Sequence, residues 1–171
     1  TEIYTLSLHD ALPIFSMART LIDGVKLKQL RCIPDERGRL MELVRCDDEV
    51  YEKFGQVYVT TTRPGIVKAW HLHRLQDDNV ACVCGMIRLA MFDQREGSPT
   101  KGKLNEFCIG IHNPLLIHIP KGVYHGWKCI SDIEAVMVNL VTEAYNYEQP
   151  DEERLPFNTP VIPYSWEVPH G

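Results

Sequence analysis

The sequence predicts an all-β fold, a sandwich or closed barrel, and two observations carry that expectation. From Met17 onward, short runs rich in Val, Ile and Cys follow one another, separated by Gly, Pro, Asn and Asp turn signals at nearly regular spacing. Only one stretch, Asp48 to Phe54, reads as a helical turn. With 171 residues, 44% of them apolar, the chain has material for one core, and a single domain is expected over residues 17–171.

Taken in order, the elements begin after a segment that stands apart. Residues Thr1 to Ser16 mix polar and apolar side chains with little pattern and run straight into Met17. They are set aside as a non-native or disordered extension, as one would a tag. Strands are expected at Leu40 to Cys46, Gln56 to Thr62, Ile66 to Trp70, Val80 to Cys84, Met86 to Phe92, Leu104 to Ile109, Leu115 to Ile119 and Ala135 to Thr142. The tail from Gln149 to Gly171 carries Pro150, Pro156, Pro160, Pro163 and Pro169, so it is expected to be an extended strap.

Charge and cysteine usage narrow the function. Lys plus Arg total 18 against 23 Asp plus Glu, a net charge of −5, with no basic block, which argues against a nucleic-acid partner. No apolar stretch approaches the roughly 20 residues that cross a bilayer, and no signal-peptide pattern opens the chain, so no membrane association is expected and the location is read as cytoplasmic. The six cysteines are then expected to be free thiols. Cys82-x-Cys84 reads as two neighbours on one face of a strand rather than half a zinc site.

The densest chemistry is Gly65-x5-His71-x-His73-x4-Asp78-x6-Gly85, with Pro120-x-Gly122-x2-His125 downstream. In a strand, His71 and His73 point to the same face, so their imidazoles can converge inside a barrel. The spacing resembles the two signature motifs of the cupin superfamily, with Asp78 where an acidic ligand sits; Pro114 replaces the leading glycine of the second motif. The resemblance implies a cupin jelly roll. His71, His73, Asp78 and His125 are a plausible set for Fe, Mn, Ni or Zn in a dioxygenase or isomerase. The same pocket can also work without metal, or bind a sugar without catalysis. His9, His112, His118 and His170 match no motif and are read as ordinary core or surface residues.

Segments outside the histidines tip this balance. Asp35-Glu36-Arg37-Gly38-Arg39-Leu40-Met41-Glu42 resembles the D-x-R-G-x-F-x-E motif of the dTDP-4-dehydrorhamnose 3,5-epimerase family, a metal-independent branch of the cupins. The resemblance continues through Phe54-Gly55-Gln56-Val57, Gly65 to His71, and Asp93-Gln94-Arg95 with Ser98-Pro99-Thr100-Lys101-Gly102. It extends through Ile119 to Trp127, Thr142 to Asn146, and Ile162 to Trp166. It implies an isomerase without cofactor or metal, acting on a nucleotide-diphosphate 4-keto-6-deoxy sugar by removing a proton beside the ketone at C3, C5 or both. His71 matches the family's base, and a neutral imidazole suits that task. Lys68 stands where the family has an arginine, as a cation for the developing enolate. Arg37 matches the diphosphate-contacting arginine. Glu42 and Gln56 match positions that reach the nucleoside, and His73, His125, Trp127 and Tyr145 are read as pocket residues. The family's homodimers share strands across the interface, so a homodimer is implied as well.

Three departures from the family stand out. Its catalytic tyrosine falls near Val138 or Asn139, neither of which is a phenol, so another acid is expected, Tyr145 or Tyr58. A lysine expected beside the keto group aligns with Asp78. The aspartate that orients the base lies past Trp166 in the family, where this chain offers only Glu167. A single-centre epimerase, with Tyr145 as the first candidate acid, is the expectation that follows.

Overall fold

The structure is a computed structural model that describes residues 20–167; the segment 1–16, the end of the strap at 168–171, His9 and His170 lie outside them. The described residues form twelve strands and no helix: β1 (Lys26–Gln29), β2 (Cys32–Asp35), β3 (Gly38–Met41), β4 (Gln56–Thr62), β5 (Val67–Leu72), β6 (Asp78–Cys84), β7 (Met86–Asp93), β8 (Leu104–Gly110), β9 (Leu115–Ile119), β10 (Val123–Cys129), β11 (Ala135–Val141) and β12 (Glu153–Arg154). Two five-stranded antiparallel sheets, ordered β1-β9-β6-β11-β4 and β12-β5-β10-β7-β8, make the cupin jelly roll that the motif spacing implies. The hairpin β2–β3 pairs with neither.

Strict alternation builds the core. On β11, Ala135, Met137, Asn139 and Val141 are buried while Val136, Val138 and Leu140 are only partly so. Val80, Cys82 and Met137 of one sheet meet Ile87, Leu89, Met91, Ile109 and Trp127 of the other in the main cluster. A second cluster forms outside, where Trp70, Leu72, Ala90 and Phe92 lie under Ile162 and Trp166 of the strap. The tail is thus an extended covering, as its prolines imply. At roughly 1.5–3 kcal/mol for each large apolar side chain taken out of water, these two layers dominate the fold's stability.

Four sequence expectations need correction. The stretch 48–54 is not a helical turn: the Asp48 N–H donates to Arg45 O (3.2 Å) and Tyr51 N–H to Asp48 O (3.0 Å), two separate turns. The Asp48 carboxylate takes the Arg45 N–H (2.7 Å) and pairs with Lys28, a local alternative to helical bonding. The strand expected over 40–46 stops at Met41, because Met41, Leu43 and Val44 turn instead onto the Leu30, Val50, Ala81 and Leu116 cluster. β10 is not among the expected strands, although its Val-Tyr-His-Gly-Trp-Lys-Cys sequence alternates like its neighbours. The short β1, β2 and β12 carry too few residues for a periodic signal.

The six cysteines are free, with Cys82 and Cys129 buried. No helix of the described residues is long and apolar enough to cross a membrane.

Candidate active site

The facing sheets enclose a cavity of about 780 Å³, walled by the inward side chains of β4 and β5 and closed by residues of the strap. One irregularity shapes it. On β10 and β5, His125 stands opposite His71 and Trp127 opposite Lys68, so one residue separates His125 from Trp127 on β10 while two separate Lys68 from His71 on β5. The extra residue makes a bulge in β5 and shifts the alternation, so Lys68 and His71, which a regular strand would send to opposite faces, line the same cavity. Gly126 lies against the bulge: a Cβ there would stand 2.3 Å from Ala69 Cβ, which leaves no room for any other residue. The glycine of the His125-Gly126-Trp127 run therefore has a steric cause.

Three imidazoles meet on this wall. Ring centroids are 4.2 Å apart for His71 and His125, and 5.9 Å for both His71–His73 and His73–His125. His73 is fixed by donation from Nδ1 to Asp151 O of the strap. His125 Nδ1 donates to Val123 O (3.0 Å), so its Nε2 faces Asp78 Oδ2 at 2.9 Å. Asp78 Oδ2 also lies 3.7 Å from His73 Nε2, and Gln76 Nε2 donates to Asp78 Oδ1 (3.0 Å). Asp78 and His125 are 1% and 2% exposed. Burial works against the Asp78 charge, but the close approach of His125 and, after it, His73 outweighs it and holds the carboxyl at about 2. His71 is pushed well below the ordinary histidine range by burial and, next, by His125. It is a neutral imidazole in the cavity wall.

Lys68 Nζ donates to Thr61 O (2.7 Å) and Thr60 Oγ1 (3.1 Å), which holds the ammonium against β4 at the rim of the cavity. Trp127 packs edge-on against His71 with centroids 5.4 Å apart, and its Nε1 donates to Thr62 Oγ1 (2.9 Å). Gln56 and Tyr145 stand at the mouth, tied together by the Tyr145 N–H donating to Gln56 Oε1 (2.8 Å). Of the nine residues singled out in the sequence, His71, His73, Lys68, Gln56, Trp127 and Tyr145 line the cavity, and His125 backs it.

Arg37 and Glu42 are not brought there by their own chain. Arg37 sits in the β2–β3 turn, its guanidinium on Asp35 and its side chain 82% exposed; Glu42 pairs with Arg45 at 3.6 Å. The physical reason is that their hairpin pairs with neither sheet and is tied to β6 through Arg39, whose Nη2 donates to Val83 O (2.8 Å). The cavity also recruits Tyr147, Glu152 and Arg154. Arg154 stands opposite His71 in the β12–β5 register, a placement no sequence period could signal because it depends on a two-residue strand inside a proline-rich tail.

Metal-binding capacity is present on geometric grounds. The nitrogens of His71, His73 and His125 lie within 4.8 Å of one another, and a second group, Glu52, Asp77 and His118, does the same on the other sheet.

A jelly roll whose cavity is lined by a neutral imidazole and an ammonium defines a cupin-fold enzyme suited to proton transfer. The dTDP-4-dehydrorhamnose 3,5-epimerase family model matches residues 19–170, and the chain belongs to that family. It is 40% identical over 148 residues to the spore coat polysaccharide biosynthesis protein SpsL of Bacillus subtilis, covering 86% of this chain and 98% of that one. It is 42% identical over 153 residues to the probable low-salt glycan biosynthesis epimerase Agl13 of Haloferax volcanii, covering 88% and 98%. A crystal structure of a dTDP sugar isomerase from Desulfovibrio desulfuricans superposes with a TM-score of 0.81 at 34% identity, over 85% of this chain and 92% of that one.

Proposed function

We propose that the protein epimerises a nucleotide-diphosphate 4-keto-6-deoxy sugar, in deoxysugar or glycan biosynthesis, by proton exchange at a carbon beside the ketone. The observation that carries this reading is His71, a neutral imidazole held in the wall of a cavity that the Lys68 ammonium and the Arg154 guanidinium also line. His71 takes the proton from the carbon, whose electrons pass into the enolate, and Lys68 stabilises the oxygen that becomes negative. The Asp78–His125 contact fixes the ring packed against the base and so orients His71 through it, the service that the family obtains from an aspartate past Trp166.

Gln56, Tyr145, Trp127 and His73 are assigned to substrate contacts. Arg37 and Glu42 fit this scheme in a homodimer, in which the free β2–β3 hairpin of one subunit reaches the cavity of the other; its exposed Ile33 and Leu40 favour such docking. Six free thiols favour a cytoplasmic location.

In deuterated water, dTDP-4-keto-6-deoxyglucose should acquire label at C3 or C5. Labelling at one position supports the single-centre reading; labelling at both replaces it with double epimerisation; no labelling of any 4-keto sugar nucleotide tested refutes the epimerase.

A second reading, a metal-dependent cupin, is favoured by the clustered nitrogens of His71, His73 and His125. Against it, His125 Nε2 already faces the Asp78 carboxylate. Elemental analysis of protein purified without chelator decides: stoichiometric Fe, Mn, Ni or Zn, with exchange lost on chelation, overturns the metal-free assignment.

A further inference from the structure

Inversion needs two groups on opposite sides of the reacting carbon, and the wall facing His71 supplies the second. On β4, Gln56, Tyr58 and Thr60 turn inward, while Val57, Val59 and Thr61 face out. On β11 the inward residue is Asn139, not Val138, and the β4–β11 register sets Asn139 directly opposite Tyr58. The position where the family places its tyrosine is therefore occupied by an amide, and a phenol enters the cavity from the paired strand.

The bonding around this pair assigns its protons. Asn139 Oδ1 accepts the Asn79 backbone N–H (3.1 Å), which fixes the amide's orientation. Asn139 Nδ2 therefore points the other way and donates to the Tyr58 hydroxyl oxygen at 2.8 Å. The phenol is the acceptor in that bond, and among the described residues nothing accepts its own O–H, which is left to donate into the cavity. Asn139 is 3% exposed, so the amide that aims the phenol is itself buried, while Tyr58, 37% exposed, reaches the open side of the cavity.

Tyr145, the other phenol at the cavity, is placed differently. It stands at the mouth, stacked edge-on against Tyr147 with centroids 4.9 Å apart, and among the described residues no group bonds its hydroxyl.

We propose that Tyr58 is the proton donor that completes inversion, with Asn139 as its positioning residue. This rests on the epimerase reading. His71 removes the proton from one face of the carbon; the enolate carbon then takes the Tyr58 hydroxyl proton from the other face. The product carries the inverted centre, His71 holds one proton as imidazolium, and Tyr58 is a phenolate whose oxygen keeps the Asn139 hydrogen bond. Water then accepts a proton from His71 and returns one to Tyr58, so the cycle is balanced and needs no co-reactant. Burial and the Asp78 charge push the Tyr58 hydroxyl up to about 12, which keeps it protonated between turnovers.

The test follows inversion and hydrogen exchange separately, on dTDP-4-keto-6-deoxyglucose in deuterated water, with dTDP binding as the check on folding. Tyr58→Phe should lower inversion at least a hundredfold, the range of a lost general acid, while His71-dependent exchange with retention persists and dTDP binding is unchanged. Asn139→Ala should lower inversion about tenfold, and the relocated pair Tyr58→Asn with Asn139→Tyr should invert at least tenfold faster than Tyr58→Asn alone. Inversion at the wild-type rate in Tyr58→Phe, or its loss in Tyr145→Phe but not in Tyr58→Phe, overturns the assignment while leaving the epimerase intact. A wild-type protein that neither exchanges nor inverts overturns both.

Discussion

Asp78 and Asp93 are both buried carboxylates of this barrel, one opening β6 and the other closing β7, and they are bonded in opposite ways. Asp93 receives five donations: Oδ1 from the Arg95 N–H and Nε, and Oδ2 from Arg95 Nη2, Ser98 Oγ and Thr100 Oγ1. All come from its own loop, within seven residues. Asp78 takes one side-chain bond from Gln76, and its other oxygen looks towards His73 and His125, the latter from a strand far along the chain. A carboxylate saturated by its own turn holds that turn; one aimed at imidazoles in a cavity wall sets the charge of a site. The family-like Asp93 to Gly102 segment thus supports the fold, and the chemistry belongs to the wall behind Asp78.

The largest effect that contrast predicts is in the wall. Replacing His71 with asparagine should lower solvent exchange into the sugar about 10²–10⁴-fold, the range of a lost general base, with dTDP affinity nearly unchanged because polarity is kept and no folding bond is lost. Exchange persisting in His71→Asn would remove the histidine from the mechanism.

The loop should respond in stability instead. Asp93→Ala leaves Arg95, Ser98 and Thr100 without their shared acceptor and should cost about 3 kcal/mol, read as a lowered urea midpoint. Burial opposes the Asp93 charge, but the Arg95, Ser98 and Thr100 bonds outweigh it and hold the carboxyl well below its ordinary range. Its stabilisation is therefore complete above pH 4 and fades as pH falls below that. Asp78→Asn should do the reverse, losing turnover while changing the midpoint little. Equal destabilisation by both substitutions would erase the distinction between the two carboxylates.

How far the sequence discloses this layout depends on which contacts are local. The convergence of His71 and His73 is legible because alternate residues of a strand share a face, and the downstream Pro-Lys-Gly-Val-Tyr-His run brings His125 through its resemblance to a motif. Alternation also argues against placing Lys68 with His71, and the bulge that joins them is invisible without knowing which residue of β10 opposes which residue of β5. The same holds for Tyr58 and Asn139, 81 residues apart and paired only by register. Arg37 and Glu42 show the converse: a clear motif whose place in the cavity is not supplied by the fold of one chain.

That hairpin gives the next effect in size. If Arg37 of one subunit clamps the diphosphate in the other's cavity, Arg37→Ala should weaken nucleotide-sugar binding by about 1.5–3 kcal/mol, roughly 10- to 150-fold, at unchanged stability. Its guanidinium pairs only with Asp35 in an exposed turn, so nothing in the core depends on it. Calorimetric titration with dTDP checks this, and unchanged affinity would withdraw Arg37 from the site.

The smallest expected effect concerns pH. Removal of a proton by His71 requires the neutral imidazole, and burial together with His125 places its proton affinity below that of an ordinary histidine. An ordinary histidine, with a pKa of about 6.5, would be half protonated at pH 6.5 and kcat/KM would already have fallen twofold from its plateau. With the value depressed, less than half of His71 is protonated there, so the loss between pH 8 and pH 6.5 should stay under about twofold, and the decline should begin only at lower pH. Because kcat/KM reports the free enzyme, the profile reads the histidine in the empty cavity, before substrate displaces its water. Asp78→Asn should move this limb, because it withdraws the carboxylate whose field favours the imidazolium form of His71 and which anchors His125 beside it. A midpoint at or above pH 6.5 in the wild-type protein would mean that the wall does not tune its base, and that the difference between the two buried aspartates is one of bonding alone.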